Sequence, residues 1–143
     1  MDENELSNKI IGAALEVHRQ LGPGLLESAY EACLCYELSC MNIPFQRQVN
    51  MPVNYKDTKL DCGFRPDLIV DGKVIVEVKA ADKMAPIYDA QVLTYLKLSG
   101  LRLGLLINFN CILLKDGIKR LVSGLCEPYR PLRDCIEKEE KEE

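Results

Sequence analysis

Pro66-Asp67 is followed, after nine residues, by Glu77-Val78-Lys79 at the end of a β-branched run. Side chains alternate along a strand, so Glu77 and Lys79 share one face while Val76 and Val78 share the other. Two carboxylates converging from neighbouring strands repel unless a cation lies between them, and hard oxygen ligands suit Mg²⁺ or Mn²⁺. Such a cation activates water and neutralises charge on a phosphodiester. The adjacent Lys79 ammonium would orient or deprotonate the attacking water and stabilise the pentacovalent state. The plain alternative is a Glu77–Lys79 charge pair on a half-exposed strand, which is common on protein surfaces.

Whether Asp67 joins that face depends on the turn between the strands. A two-residue Asp71-Gly72 turn pairs Asp67 with Val76 and puts the carboxylates on opposite faces. A three-residue loop, Val70-Asp71-Gly72 with Gly72 left-handed, pairs Asp67 with Ile75 and places it diagonal to Glu77 on one face. The chemistry therefore requires an odd loop.

Two further pairs offer polar groups at helical spacing. Glu27 and Tyr30 lie three apart just after Gly24, and Gln91 and Tyr95 lie four apart further on. Their ordinary readings are a first-turn glutamate answering the helix dipole, a solvated glutamine and two core tyrosines. The single histidine, His18, is read as a hydrogen-bonding core residue near a helix end rather than a general base.

The elements that must position these residues follow from periodicity. Ser7 caps a helix carrying Ile10, Ile11, Ala14, Leu15, Val17 and Leu21, interrupted by Gly22-Pro23-Gly24. A second helix starts near Leu25, with Leu26, Ala29, Tyr30, Cys33, Leu34 and Leu38 facing the core, and stops before Asn42-Ile43-Pro44. From Phe45 the pattern alternates through Tyr55, turns at Lys56 to Lys59, runs from Leu60 to Val70 and returns from Val74 to Ala80. These strands make a three-stranded antiparallel meander. Pro86 opens a third helix that stops at Ser99-Gly100. Leu103 to Phe109 reads as a strand buried on both faces, and Cys111 to Leu114 with Ile118 to Val122 as a closing hairpin around Lys115-Asp116-Gly117.

At 143 residues, 48% hydrophobic and 28% charged, the chain fits one domain with one core, spanning 1–126, followed by a polar acidic tail at 127–143. Within the tail, five glutamates against two lysines in Glu137 to Glu143 supply −3 of the net −4, leaving the body near neutral at −1. That balance argues against tight non-specific nucleic-acid binding while allowing a local basic rim from Arg47, Lys56, Lys59, Arg65, Lys73 and Lys83. Seven cysteines, most of them among apolar neighbours and without a CxxC, read as packing thiols. Absence of a long apolar run and an acidic start, Met1-Asp2-Glu3-Asn4-Glu5, give the expectation of a cytoplasmic protein with no membrane segment.

Taken in order, these residues resemble the GxxExxY family, a branch of the PD-(D/E)XK nuclease superfamily, over nearly the whole span from Ile10 to Val122. The match runs through Glu16-Val17-His18, Leu21-Gly22-Pro23-Gly24, Glu27, Tyr30, Ile43-Pro44-Phe45, Phe64-Arg65-Pro66-Asp67 and Val70-Asp71-Gly72-Lys73. It continues through Glu77-Val78-Lys79, Ala90-Gln91, Tyr95-Leu96 and Gly104-Leu105-Leu106-Ile107-Asn108-Phe109. Each motif is weak alone, and the ordered set is specific.

The resemblance implies an α/β fold with a restriction-endonuclease-like three-layer core, its mixed β-sheet containing the meander and flanked by helices. It further implies that Asp67, Glu77 and the backbone carbonyl of Val78 hold Mg²⁺ or Mn²⁺, and that Lys79 serves the water. Glu27 would approach the metal or its water, Gln91 would orient Lys79 or the phosphate, and Tyr30 and Tyr95 would support. The expected activity is hydrolysis of DNA or RNA phosphodiesters. Two other readings are a non-catalytic nucleic-acid or protein interaction module on the same fold, and a structural oligomer using surplus apolar surface on the second helix as a homodimer contact.

Overall fold

The structure is a computed structural model that describes residues 1–123, so the acidic tail and the domain boundary at 126 lie outside the described residues. Helix α1 (Glu3–Leu21) starts at Asp2, five residues before the expected cap at Ser7. Asp2 Oδ1 accepts the Glu5 N–H at 2.8 Å while Glu5 reaches back to Asp2 N, so the first turn's free donors are satisfied there. Ser7 is fully buried inside the helix, its hydroxyl without a partner among the described residues. Helix α2 (Glu27–Cys40) follows the Gly22-Pro23-Gly24 break. Leu26, expected on its core face, is instead 77% exposed ahead of the first turn, whereas Tyr30, Leu34 and Leu38 are fully buried as expected.

The meander is present, with an excursion in it. Strand β1 (Phe45–Arg47) pairs antiparallel with β4 (Leu68–Val70), which pairs antiparallel with β5 (Val74–Lys79). Between β1 and β4 the chain leaves the sheet as a separate hairpin, β2 (Met51–Tyr55) and β3 (Thr58–Phe64). Both expected long strands therefore break, one at Gln48, whose backbone is left-handed at φ 51°, and one at Arg65-Pro66-Asp67. Pro66 lacks the N–H that a continued ladder would need.

The turn between β4 and β5 has three residues, an odd number as the chemistry requires, but they are Asp71-Gly72-Lys73. Val70 stays in the ladder opposite Val74 because both are fully buried, and Lys73 takes the loop position instead. Asp71 and Gly72 are both left-handed, at φ 52° and 64°. With Leu68 opposite Val76, one further step of this register sets Asp67 directly across from Glu77 rather than diagonal to it.

Helix α3 (Pro86–Ser99) leads into β6 (Leu103–Asn108), which runs parallel to β5 and is buried throughout. Strand β7 (Ile118–Val122) pairs antiparallel with β6, closing a five-stranded mixed sheet of order β1-β4-β5-β6-β7. The expected strand at Cys111 to Leu114 is absent. Ile112 and Leu113 are exposed at 83% and 54%, and Leu114 is drawn into the core by a short 3₁₀ turn, Leu114–Gly117.

Helices α1 and α2 cover one face of the sheet, over Leu68, Val70, Val74, Val76, Val78, Leu105 and Ile107. Helix α3 covers the other with Val92 and Leu96, over Ile69, Ile75, Leu106 and Leu121. Gly104 permits the close approach, since a Cβ there would lie 2.5 Å from Val92 Cγ1. The result is a three-layer α/β domain. Alternation along β5 sends Val74, Val76 and Val78 to the α1–α2 side, and Ile75, Glu77 and Lys79 to the α3 side.

Candidate active site

Asp67 and Glu77 meet where β4 begins and β5 nears its end. The Asp67 N–H donates to Glu77 Oε1 at 2.9 Å, and the Val78 N–H donates to Asp67 Oδ2 at 2.8 Å. Each carboxylate is thus held by main chain beside the other. Glu77 is only 4% exposed, which removes the surface-pair alternative. Burial, with the facing Asp67 charge second, pushes the Glu77 carboxyl up to about 8.

Among the described residues, the same strand end leaves a carbonyl without a donor. Lys79 O accepts the Phe109 N–H at 2.9 Å on the β6 side, so by ladder alternation the Val78 N–H and C=O face the β4 side. The residue opposite Val78 in the continued register is Pro66, which has no hydrogen to give. The Val78 N–H turns to Asp67 instead, and its carbonyl has no ladder donor across from it.

Lys79 stands on the same face. Its Nζ donates to Gln91 Oε1 at 3.3 Å and lies 4.7 Å from the centre of the Tyr88 ring. Gln91 in turn donates to the Tyr95 hydroxyl at 2.9 Å, and the Tyr95 ring stacks on Phe64 with centroids 4.9 Å apart. Burial, followed by the charge of Glu77, raises the Tyr95 hydroxyl above its ordinary value. A cleft between α3 and the foot of the β2–β3 hairpin opens here, lined by Gln48, Phe64, Arg65, Ile87, Gln91 and Tyr95 among others.

Of the residues singled out from sequence, the structure brings together Asp67, Glu77, Val78, Lys79, Gln91 and Tyr95. Glu27 and Tyr30 are placed differently. Glu27 is exposed at the start of α2 and, with Leu25, Leu26 and Ser28, lines a second shallow cleft shared with Ala80, the residue after Lys79. Among the described residues no three His, Cys, Asp or Glu side chains converge closely enough to hold a metal, so Glu27 stands apart from the Asp67–Glu77 pair. Tyr30 is fully buried, donating to Gly22 O at 2.6 Å and accepting from Leu25 N at 3.0 Å. Its ring stacks on Phe109 at 4.6 Å. It pins the glycine loop that leads into Glu27. His18 bonds Cys111 O at 2.8 Å, the structural role expected of it.

The basic rim does not gather in one place. Arg47 pairs with Glu31, Lys73 with Asp71, and Lys56 lies over the Tyr55 ring, while Arg65 lines the cleft.

Sequence reasoning missed three supporting residues. Glu31 is 7% exposed and is held by Arg47 and Gln48, and Gln48 also bonds Asp67. Asn108 grips both the N–H and the carbonyl of Ala81 at 3.0 Å, holding the chain as it leaves β5. A signal existed for Glu31, which shares the core-facing stripe of α2 with Leu34 and Leu38. A similar signal existed for Asn108, a lone amide ending an apolar strand. Gln48 gave none, because its partners are distant in sequence.

A mixed sheet between helical layers, with an acidic pair and a lysine at the end of its central antiparallel strands, defines a nuclease-like α/β core. The model of the PD-(D/E)XK nuclease superfamily matches residues 4–121, and the chain belongs to that superfamily. Comparison with curated proteins and with solved structures finds no match. Nucleases of the superfamily generally use divalent metals. The donor set fits such an ion, offering two carboxylates at close quarters and a carbonyl without a ladder partner, all hard oxygens. Among the described residues no helix is long and apolar enough to cross a membrane.

Proposed function

We propose that this chain is a divalent-metal-dependent nuclease that hydrolyses phosphodiester bonds in DNA or RNA, of the GxxExxY branch of its superfamily. The observation that carries the reading is the opposition of half-buried Asp67 to buried Glu77. Such an arrangement disfavours the doubly charged state in isolation and favours it once a cation is bound.

Asp67, Glu77 and the Val78 carbonyl would hold Mg²⁺ or Mn²⁺, which when bound supplies an acidified water and offsets phosphoryl charge. Lys79, held by Gln91 and the Tyr88 ring, would orient that water and, as the ammonium, stabilise the negative charge that accumulates on phosphorus oxygens. Gln91 and Tyr95 keep the ammonium in place at the cleft wall. Glu27, at the neighbouring shallow cleft, would approach the cation or its water, and Tyr30 holds the loop that carries it.

The test is calorimetric titration of Mg²⁺ and Mn²⁺ into wild type and Glu77→Ala, with the same samples assayed on fluorescent single-stranded, duplex and branched nucleic acids. Binding and cleavage lost together in the variant support the nuclease. Wild-type protein that binds no metal and leaves every substrate uncut overturns it. The near-neutral body and a cleft with Arg65 as its one charged lining residue among the described residues favour a second reading, a non-catalytic interaction module. That reading requires nucleic-acid or protein binding without turnover, indifferent to Glu77→Ala.

A further inference from the structure

A strand break, a left-handed residue and a buried carboxylate meet beside Asp67. After Arg47 ends β1, Gln48 turns to φ 51°, and its N–H donates to the Asp67 carbonyl at 3.0 Å. Left-handed backbone is unfavourable for a residue with a side chain, so it persists where surrounding bonds over-determine it. Here they do. The single side-chain NH₂ of Gln48 reaches two carboxylates, Glu31 Oε1 at 3.0 Å and Asp67 Oδ1 at 3.1 Å.

Glu31 is 7% exposed on α2, and its other oxygen accepts Arg47 Nε at 3.1 Å, so its charge is already answered. A neutral amide suits the middle of this chain because its two hydrogens serve one oxygen on each carboxylate and bring no charge of their own. Asp67 consequently has Oδ1 held by Gln48 and Oδ2 held by the Val78 N–H. Each oxygen keeps a second lone pair for a ligand.

We propose that Gln48 is a positioning residue for Asp67, with Glu31 acting through it. Together they lock the Asp67 carboxylate in the orientation that faces Glu77, and so link helix α2 to the cation site. The assignment deepens the nuclease reading and rests on Asp67 as a cation ligand. Outer partners of this kind are typically worth 10- to 100-fold in metal affinity. Because Gln48 is exposed and water substitutes in part for its amide, the expected effect is near the lower end, about 10-fold.

The experiment uses the full chain, with Mn²⁺ calorimetry, thermal melting and hydrogen exchange at the Val78 amide. Gln48→Leu is expected to weaken Mn²⁺ binding about 10-fold and to speed Val78 exchange while melting stays nearly constant. Glu31→Leu moves both readouts the same way, the double variant is little worse than either single, and Glu31→Gln, which still offers the amide an acceptor, retains most of the affinity. Losses that multiply in the double variant, or that track melting temperature, assign the residues a merely structural role and overturn the proposal. Wild-type Mn²⁺ affinity in Gln48→Leu overturns it too, leaving the nuclease reading intact. Should wild type bind no Mn²⁺, the nuclease reading falls, and so does the cation-site assignment. Val78 exchange then judges the orientation of Asp67 alone, with unchanged exchange in Gln48→Leu refuting it.

Discussion

Glu31 and Glu77 are both buried carboxylates, 7% and 4% exposed, yet the chain treats them in opposite ways. Glu31 receives a guanidinium and an amide, from Arg47 and Gln48. Glu77 receives a second carboxylate, and its acidity falls until the carboxyl titrates near pH 8. One arrangement holds a charge in place. The other stores an electrostatic deficit at a fixed spot, which is what a cation-binding site needs before its cation arrives.

The sharpest way to break that comparison is Glu77→Gln, which keeps an acceptor for the Asp67 N–H and removes the charge. Cleavage is expected to fall by about 1,000-fold or more, a loss of several kcal/mol of transition-state stabilisation. Over the same substitution the metal-free protein should melt higher at pH 8. Full activity in steady-state assays would contradict the role given to Glu77.

Next in size is the pH dependence. A carboxyl raised from 4.5 to about 8 by folding holds more protons in the native state across that window. Stability therefore falls as pH climbs from about 4.5 through 8 and levels off above, by on the order of a few kcal/mol. Melting curves of metal-free protein from pH 5 to 9 should show the fall, Glu77→Gln should flatten it, and Mn²⁺ should raise melting more at pH 8 than at pH 5.

Glu31→Gln sharpens the contrast by its sign. Losing a charge-assisted partner of Arg47 should lower stability by about 1–2 kcal/mol in denaturant titrations, where Glu77→Gln raises it. The smallest effect expected is that of Gln91→Ala, a fall in kcat of under about 10-fold. Lys79 loses its acceptor there but keeps the Tyr88 ring. A loss as large as that of Glu77→Gln would mean that the glutamine, not the ring, holds the ammonium.

Much of the site is legible in the amino-acid sequence because it is local and periodic. The parity of a strand puts Glu77 with Lys79, and the need for an odd loop brings Asp67 to their side. What escapes such reading is long-range. Whether Val70 or Lys73 enters the loop depends on which of them the helices bury. The breaks at Gln48 and Pro66 are mutual, each strand ending where its neighbour does. Ile112 and Leu113 read as strand residues by composition, and the burial of Leu114 decides otherwise. For Glu27 the sequence gives type and spacing, while distance to the acidic pair depends on how α2 seats on the sheet.

Because β1 and β4 pair directly, the sheet's ladder is already complete beneath the β2–β3 hairpin. The hairpin is therefore a wall outside that ladder, joined to the sheet at Gln48 and Pro66 and steadied by the Phe64–Tyr95 stack. Its length and side chains can be redrawn without cutting a bond of the ladder that carries Asp67 and Glu77. In a scaffold of this kind, what enters the cleft and what happens there can diverge independently.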